Sequence, residues 1–149
     1  MKYLLDASTF IPLLFNFGEK LLDIATRVTL YVTDLTVYEA GNALWKLVTL
    51  LKTMSMEDAL ETIIAVHTLL SKGLVKVLSY SDLELGRVLE LATREELTFY
   101  DASYVVAAEN LRAVLVTENK KLEDRASKYV TTMTYAELVH ALREQIQGS

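Results

Sequence analysis

The sequence predicts an α/β protein, a three-layer sandwich in which a short parallel sheet lies between two layers of helices. Two observations predict it. Short apolar runs that end on a polar residue alternate with longer segments of helical period, and the runs are continuously apolar, as strands buried on both faces are. Size agrees: 149 residues, 52% hydrophobic and 23% charged with one Pro and five Gly, suit a single domain over 1–147 with one core and a two-residue tail at 148–149.

Taken in order, Lys2 to Leu5 (KYLL) is the first strand and stops on Asp6. Ser8, Thr9 and the apolar series Phe10, Ile11, Leu13 and Leu14 begin a helix, with Pro12 tolerated in its first turn. Leu21, Leu22, Ile24 and Ala25 belong to a short helix, and Thr29 to Val32 is β-branched and aromatic enough for strand two. Thr33 to Met54 holds the longest helical pattern. Thr36 and Glu39 fit a capping box there; Val37, Ala40, Leu44, Val48 and Leu51 line one face, and Ala43, Leu47, Leu50 and Met54 a second. A helix apolar on two sides touches two partners. Ser55 opens the next helix, which runs to Lys72 and stops at Gly73, and Val75 to Leu78 is strand three. The doubly striped region from Thr36 to Lys72 is therefore expected to form a dimer or partner surface.

Ser81 and Glu84 are expected to cap a helix ending near Glu95. Leu97 to Ala108 (LTFYDASYVVAA) follows, with Thr98 as N-cap, Asp101 three residues on, and an apolar surface free of charge until Glu109. Such a helix packs hard into the core and carries its one acid at the rim. Ala113 to Val116 is strand four and ends on Thr117; Asn119 to Ser127 makes a short charged helix, Tyr129 to Thr131 a fifth strand, and Thr134 with Glu137 caps the last helix.

In an open parallel sheet the site lies outside the carboxyl ends of the strands. Asp6 and Thr117 are each the first polar residue after a strand, while Glu39 and Asp101 sit near helix starts, so the topology brings them to one edge. Carboxylates without His or Cys suit hard cations, Mg²⁺ or Mn²⁺, and that is the chemistry of phosphodiester hydrolysis by activated water. Asp6 ends an apolar strand, where an acid requires a cation, donors or an exposed edge. Taken singly, Glu39 and Asp101 are explained as capping acids favoured by the helix dipole, and Ser8 and Thr117 are N-cap types as much as site contacts. Asn42, one turn from Glu39, orients that carboxylate or packs; Lys46, at i+7, meets phosphate or solvent. Lys120, Lys121, Arg125 and Lys128 make a solvated face and also the one basic cluster placed to attract RNA. His67 and His140 have no second His at ligand spacing, and Trp45 and the tyrosines are core or interface before they are base-stacking platforms.

Several classes are excluded. A net charge of −5 argues against broad electrostatic attraction to nucleic acid, so contact must be local or metal-mediated. There is no Cys for a disulfide, thiolate site or nucleophile. No G-x-S-x-G, G-x-x-x-x-G-K-[ST] or G-x-G-x-x-G occurs. The start MKYLLDAS is too short and too soon interrupted by Asp6 for a signal peptide, and no apolar run reaches membrane-spanning length, so a cytoplasmic, non-membrane protein is expected.

Four segments carry a family resemblance: YLLDAS with Asp6, the pattern Thr36-Glu39-Asn42-Leu44, YDASYVVAA with Asp101, and LVTENKKL from Leu115 to Leu122. Their order and spacing resemble PIN domains, most of all the small VapC-type toxin ribonucleases. The resemblance implies strand order 3-2-1-4-5, a Mg²⁺- or Mn²⁺-dependent endoribonuclease, a homodimer, and inhibition by a small antitoxin encoded alongside. By position Asp6, Glu39 and Asp101 fall on the family's metal-binding acids and Ser8 on a polar companion. The departure is Asn119, where the family carries an acid; it offers a carbonyl oxygen but no charge, and Glu118 or Asp124 is the candidate substitute. Two other functions stay open: a catalytically weak PIN domain that binds RNA or a protein, and a phosphatase or other phosphate-handling enzyme.

Overall fold

A computed structural model describes residues 1–147 of the chain; the expected tail at 148–149 lies outside them. Strands β1 (Lys2–Leu5), β2 (Thr29–Thr33), β3 (Lys76–Leu78), β4 (Val114–Val116) and β5 (Thr132–Met133) form one parallel sheet in the order β3-β2-β1-β4-β5. β1 is central, with Tyr3 opposite Leu30 on one side and Val114 on the other. Helices α1 (Ala7–Phe17), α2 (Leu21–Ile24), α3 (Asp34–Thr49), α4 (Met56–Ser71), α5 (Leu85–Glu95), α6 (Phe99–Leu111), α7 (Lys120–Ala126) and α8 (Tyr135–Gln147) cover it.

The strands are apolar throughout because both faces are buried, and successive side chains enter opposite layers. Tyr3, Leu5, Leu30, Val32, Val114 and Val116 join α1, α2, α3, α4 and α8 in one hydrophobic cluster, while Leu4 and Leu115 join α5, α6 and α7 in another. The single core expected from size is thus two, one on each side of the sheet. α6 is the most enclosed helix, with every residue from Ala102 to Ala108 buried, as its uncharged sequence requires. Among the described residues, no helix is long and apolar enough to cross a membrane.

Five local expectations are corrected. The capping box of α3 is closed by Thr33 and Thr36, whose hydroxyls each accept the other's backbone N–H (3.3 and 3.1 Å), so Glu39 lies beyond the cap and its carboxylate takes no part in it. The same helix ends at Thr49, and Leu50 and Leu51, assigned to its apolar stripes, are 60% and 64% exposed. Pro12 sits in the second turn of α1, not the first, and removes the N–H that would reach back four residues. Ser81 belongs to a 3-10 turn, and Glu84 caps α5 without a side-chain bond. β5 is Thr132–Met133, because register with β4 pairs Thr132 with Leu115. The remaining caps at Ser55, Thr98 and Thr134 accept backbone N–H groups as the pattern requires, and Gly73, at φ +72°, terminates α4.

One buried acid lies away from the sheet edge. Glu95, 6% exposed, accepts from Lys128 Nζ (2.7 Å) and Tyr129 OH (2.5 Å), and these bonds hold its carboxyl below the usual carboxylate range. It ties the end of α5 to the segment between α7 and β5, a structural role.

Candidate active site

The carboxyl edge of β1 and β4 supplies the first two site groups. Asp6 follows β1 directly, and its backbone N–H continues the ladder to Val116 O at 3.3 Å, which fixes the side chain at the mouth of the sheet. Its carboxylate is buried, 6% exposed, and is met by hydroxyls and no cation: Ser8 Oγ donates to Oδ1 at 2.6 Å, Thr9 Oγ1 to Oδ1 at 3.3 Å, and Thr117 Oγ1 to Oδ2 at 2.5 Å. Burial pushes the Asp6 carboxyl above its ordinary range against the pull of those three hydroxyls. Thr117, the first polar residue after β4, is fully buried and so is spent on orienting Asp6.

Asp101 stands in the first turn of α6, its N–H donated to Thr98 Oγ1 at 3.1 Å. Its carboxyl is also raised, first by burial and then by the negative charge of Asp6; Thr98 and Lys121 oppose the shift. Two acids 95 positions apart in the chain thus act on each other electrostatically.

Glu39, on the exposed face of α3, is tied to the same edge through Tyr104. That residue lies three positions after Asp101 on α6, is 2% exposed, and donates from its OH to Glu39 Oε1 at 2.6 Å while standing 3.0 Å from Thr36 Oγ1. Burial, the Glu39 bond and the charges of Glu39 and Asp6 push the Tyr104 phenol far up, so it remains a proton donor. Among the described residues, no three Asp, Glu or His side chains close on one point as a ready-made metal cage. The set is an open, acidic, oxygen-only edge. That arrangement fits Mg²⁺ or Mn²⁺, which keep several waters and are held by one or two carboxylates plus substrate oxygens.

The other expected residues divide. Asn119 is the N-cap of α7: its Oδ1 accepts Leu122 N–H at 3.2 Å, and its own N–H reaches Thr117 Oγ1 at 3.1 Å. Glu118 contributes a backbone N–H to Ser8 Oγ at 3.2 Å, while its side chain and that of Asp124 are exposed and make no hydrogen bond or ion pair with the acids. Lys120 is exposed, and it is the neighbouring Lys121 whose charge is felt by Asp101. Asn42 and Lys46 line, with Ser8, Tyr38 and Glu39, a cleft of about 420 Å³ next to the acids.

Sequence reasoning missed the role of Tyr104, named Thr9 and Thr36 only at helix starts, and named Lys121 only within a basic cluster. The i, i+3 spacing from Asp101 is the signal that places Tyr104 on the same face of α6. The T-x-x-T run of Thr33 and Thr36 is the corresponding signal on α3.

The PIN domain profile matches residues 3–128. Exonuclease VapC9 of Pyrobaculum aerophilum is 38% identical over 126 residues, 82% of this chain and 84% of that protein. Ribonuclease VapC3 of the same organism is 31% identical over 136 residues, 88% of this chain and 99% of that protein. Among solved structures, PAE2754 from Pyrobaculum aerophilum superimposes with a TM-score of 0.73 at 32% identity, covering 96% of this chain and 98% of that one. VapBC-1 from nontypeable Haemophilus influenzae matches in fold, with a TM-score of 0.58 at 18% identity over 91% of this chain and 99% of that one.

Proposed function

Because the chain belongs to the PIN domain family, we propose that it is a Mg²⁺- or Mn²⁺-dependent endoribonuclease, the toxin of a VapBC-type pair. The observation that carries this reading is the pairing of Asp6 with Asp101 at the sheet edge, two like charges with Asp6 held by uncharged donors. Clustered carboxylates that outnumber the one lysine near them, Lys121, call for a further cation.

Asp6, Glu39 and Asp101 would hold that cation, which supplies a Lewis acid for a phosphate oxygen and a water that is nucleophilic at neutral pH. Ser8, Thr9 and Thr117 fix the orientation of the Asp6 carboxylate, and Tyr104 anchors Glu39 through its Oε1. Hydrolysis forms a bond from water oxygen to phosphorus and breaks the bond to the leaving ribose oxygen, which departs with a proton. No side chain serves as nucleophile. Asn119 adds a neutral carbonyl already engaged at the α7 cap, so the site's fixed charge rests on the three acids.

The homodimer and the small antitoxin belong to the same proposal. Trp45, Met56 and Leu60 are 50%, 59% and 47% exposed beside an apolar cleft of about 200 Å³ between α3 and α4, a surface that favours a protein partner. A monodisperse monomer at micromolar concentration by light scattering would contradict the dimer.

Incubation with a circular RNA tests the reaction type, since a circle has no ends. Cutting in Mg²⁺ or Mn²⁺ that stops on chelation is the expected result. An intact circle beside degraded linear RNA would make the enzyme an exonuclease. RNA binding without metal-dependent cutting would instead favour a catalytically weak PIN domain, a reading supported by the missing charge at Asn119.

A further inference from the structure

We propose that the cleft beside Glu39 is a nucleotide subsite, in which Tyr38 stacks on an unpaired base and Lys46 meets a backbone phosphate of the same single RNA strand. The proposal rests on the ribonuclease reading and adds how the strand is held. Tyr3 and Tyr104 are core residues at 4% and 2% exposure, while Tyr38, Tyr80 and Tyr100 are open at 79%, 64% and 63%, and of these three Tyr38 is the one that lines the cleft. A ring that open, placed one residue before a site acid, is not explained by packing. It lines the 420 Å³ cleft together with Ser8, Glu39, Asn42 and Lys46, a volume within the range of small-ligand pockets.

Among the described residues, the side chains of Asn42 and Lys46 and the Tyr38 hydroxyl make no hydrogen bond or ion pair, so all three can meet a ligand. Glu39, Asn42 and Lys46 recur at helical spacing and carry the cleft about 10 Å along α3, away from Asp6 and Asp101. A phosphate at the acids therefore leaves the adjoining part of its strand over this face. In a chain of net charge −5, a lysine at the end of an acidic cleft selects for phosphate locally. Trp45 lies two turns further along the Tyr38 stripe of α3 but opens on the apolar cleft against α4, which is the chemistry of a protein contact; the cleft that Tyr38 lines is polar, with one acid and one lysine. An aromatic face beside a cation is the usual equipment for single-stranded nucleic acid.

The test compares wild type, Tyr38→Ala, Tyr38→Trp and Lys46→Ala on one unstructured RNA and on a duplex of the same sequence. Stacking on one base is worth about 1–3 kcal/mol, so Tyr38→Ala should raise KM on the single strand by about 5- to 150-fold with kcat little changed. Tyr38→Trp should restore it, and the duplex, with no free base, should show no Tyr38 dependence. Lys46→Ala should flatten the dependence of log affinity on log salt by about 0.7, the contribution of one phosphate contact on a single strand. An unchanged KM in Tyr38→Ala overturns the subsite, whether the exposed ring then serves a protein partner or nothing, and leaves the nuclease reading intact. If the wild type does not cut RNA, Kd by fluorescence anisotropy replaces KM. A Tyr38-dependent Kd then upholds the subsite while the nuclease reading fails, and a Tyr38-independent one removes both.

Discussion

Replacing Asp6 by Asn is expected to lower RNA cleavage by about 100-fold or more while leaving the chain folded. The size follows from the several kcal/mol of charge stabilisation that a cation supplies in phosphoryl chemistry, at about 1.4 kcal/mol per tenfold in rate. The fold survives because the amide oxygen still accepts from Ser8 and Thr9, and the Thr117 hydroxyl turns to accept from the new NH₂. Burial of the charged form is also what pushes the Asp6 carboxyl up, so the substitution removes a charge that the folded chain holds at a cost. Initial rates at saturating Mn²⁺, beside a thermal melt of the same preparation, check both halves. Activity within tenfold of wild type would remove Asp6 from the chemistry.

Leu115→Ala is expected to destabilise the chain by about 2–5 kcal/mol, a large part of the roughly 5–15 kcal/mol that holds such domains folded. Leu115 is wholly buried in β4, beside Leu4 of the central strand, where it enters the layer formed with α5, α6 and α7. Truncation leaves a cavity between strands and helices that cannot close without disturbing the ladder on both sides. For a domain of this length the loss lowers the melting midpoint by roughly 4–20 °C. Leu51→Ala, at a position 64% exposed, is the matched control and should stay within about 0.5 kcal/mol of wild type. Similar midpoints for the two variants would contradict the packing described for β4.

The two helical layers and the place of Asp6 and Thr117 at the sheet edge were legible in the sequence for the same reason. A parallel strand buried on both faces leaves a continuous apolar run, and the residue that breaks the run, Asp6 or Thr117, stands at the edge where such sheets carry their sites. What the runs do not encode is local hydrogen bonding. Thr33, Thr36 and Glu39 offer two overlapping capping patterns, and only the end of β2 at Thr33 decides that the first is used. That choice matters, since it leaves Glu39 free for Tyr104. β5 has two residues and almost no apolar pattern of its own; it exists because Thr131 and Met133 carbonyls accept N–H groups of Leu115 and Thr117. Tyr104 reads as one more core residue of α6, and its hydroxyl gains a role only when α3 is packed against it. Asn119 shows the converse: sequence places it where the family has an acid, and the structure adds that its oxygen already caps α7.

Titrating Mn²⁺ into the isotopically labelled, metal-free chain reports where a hard cation sits, because the paramagnetic ion broadens the amide signals nearest to it. The amides of Asp6, Ser8, Glu39, Asp101 and Thr117 are expected to broaden first and together, and to stop doing so in Asp6→Asn. Broadening centred on exposed acids elsewhere, such as Glu57 and Asp58 of α4, or none at the sheet edge, would contradict a single cation site built from these three carboxylates.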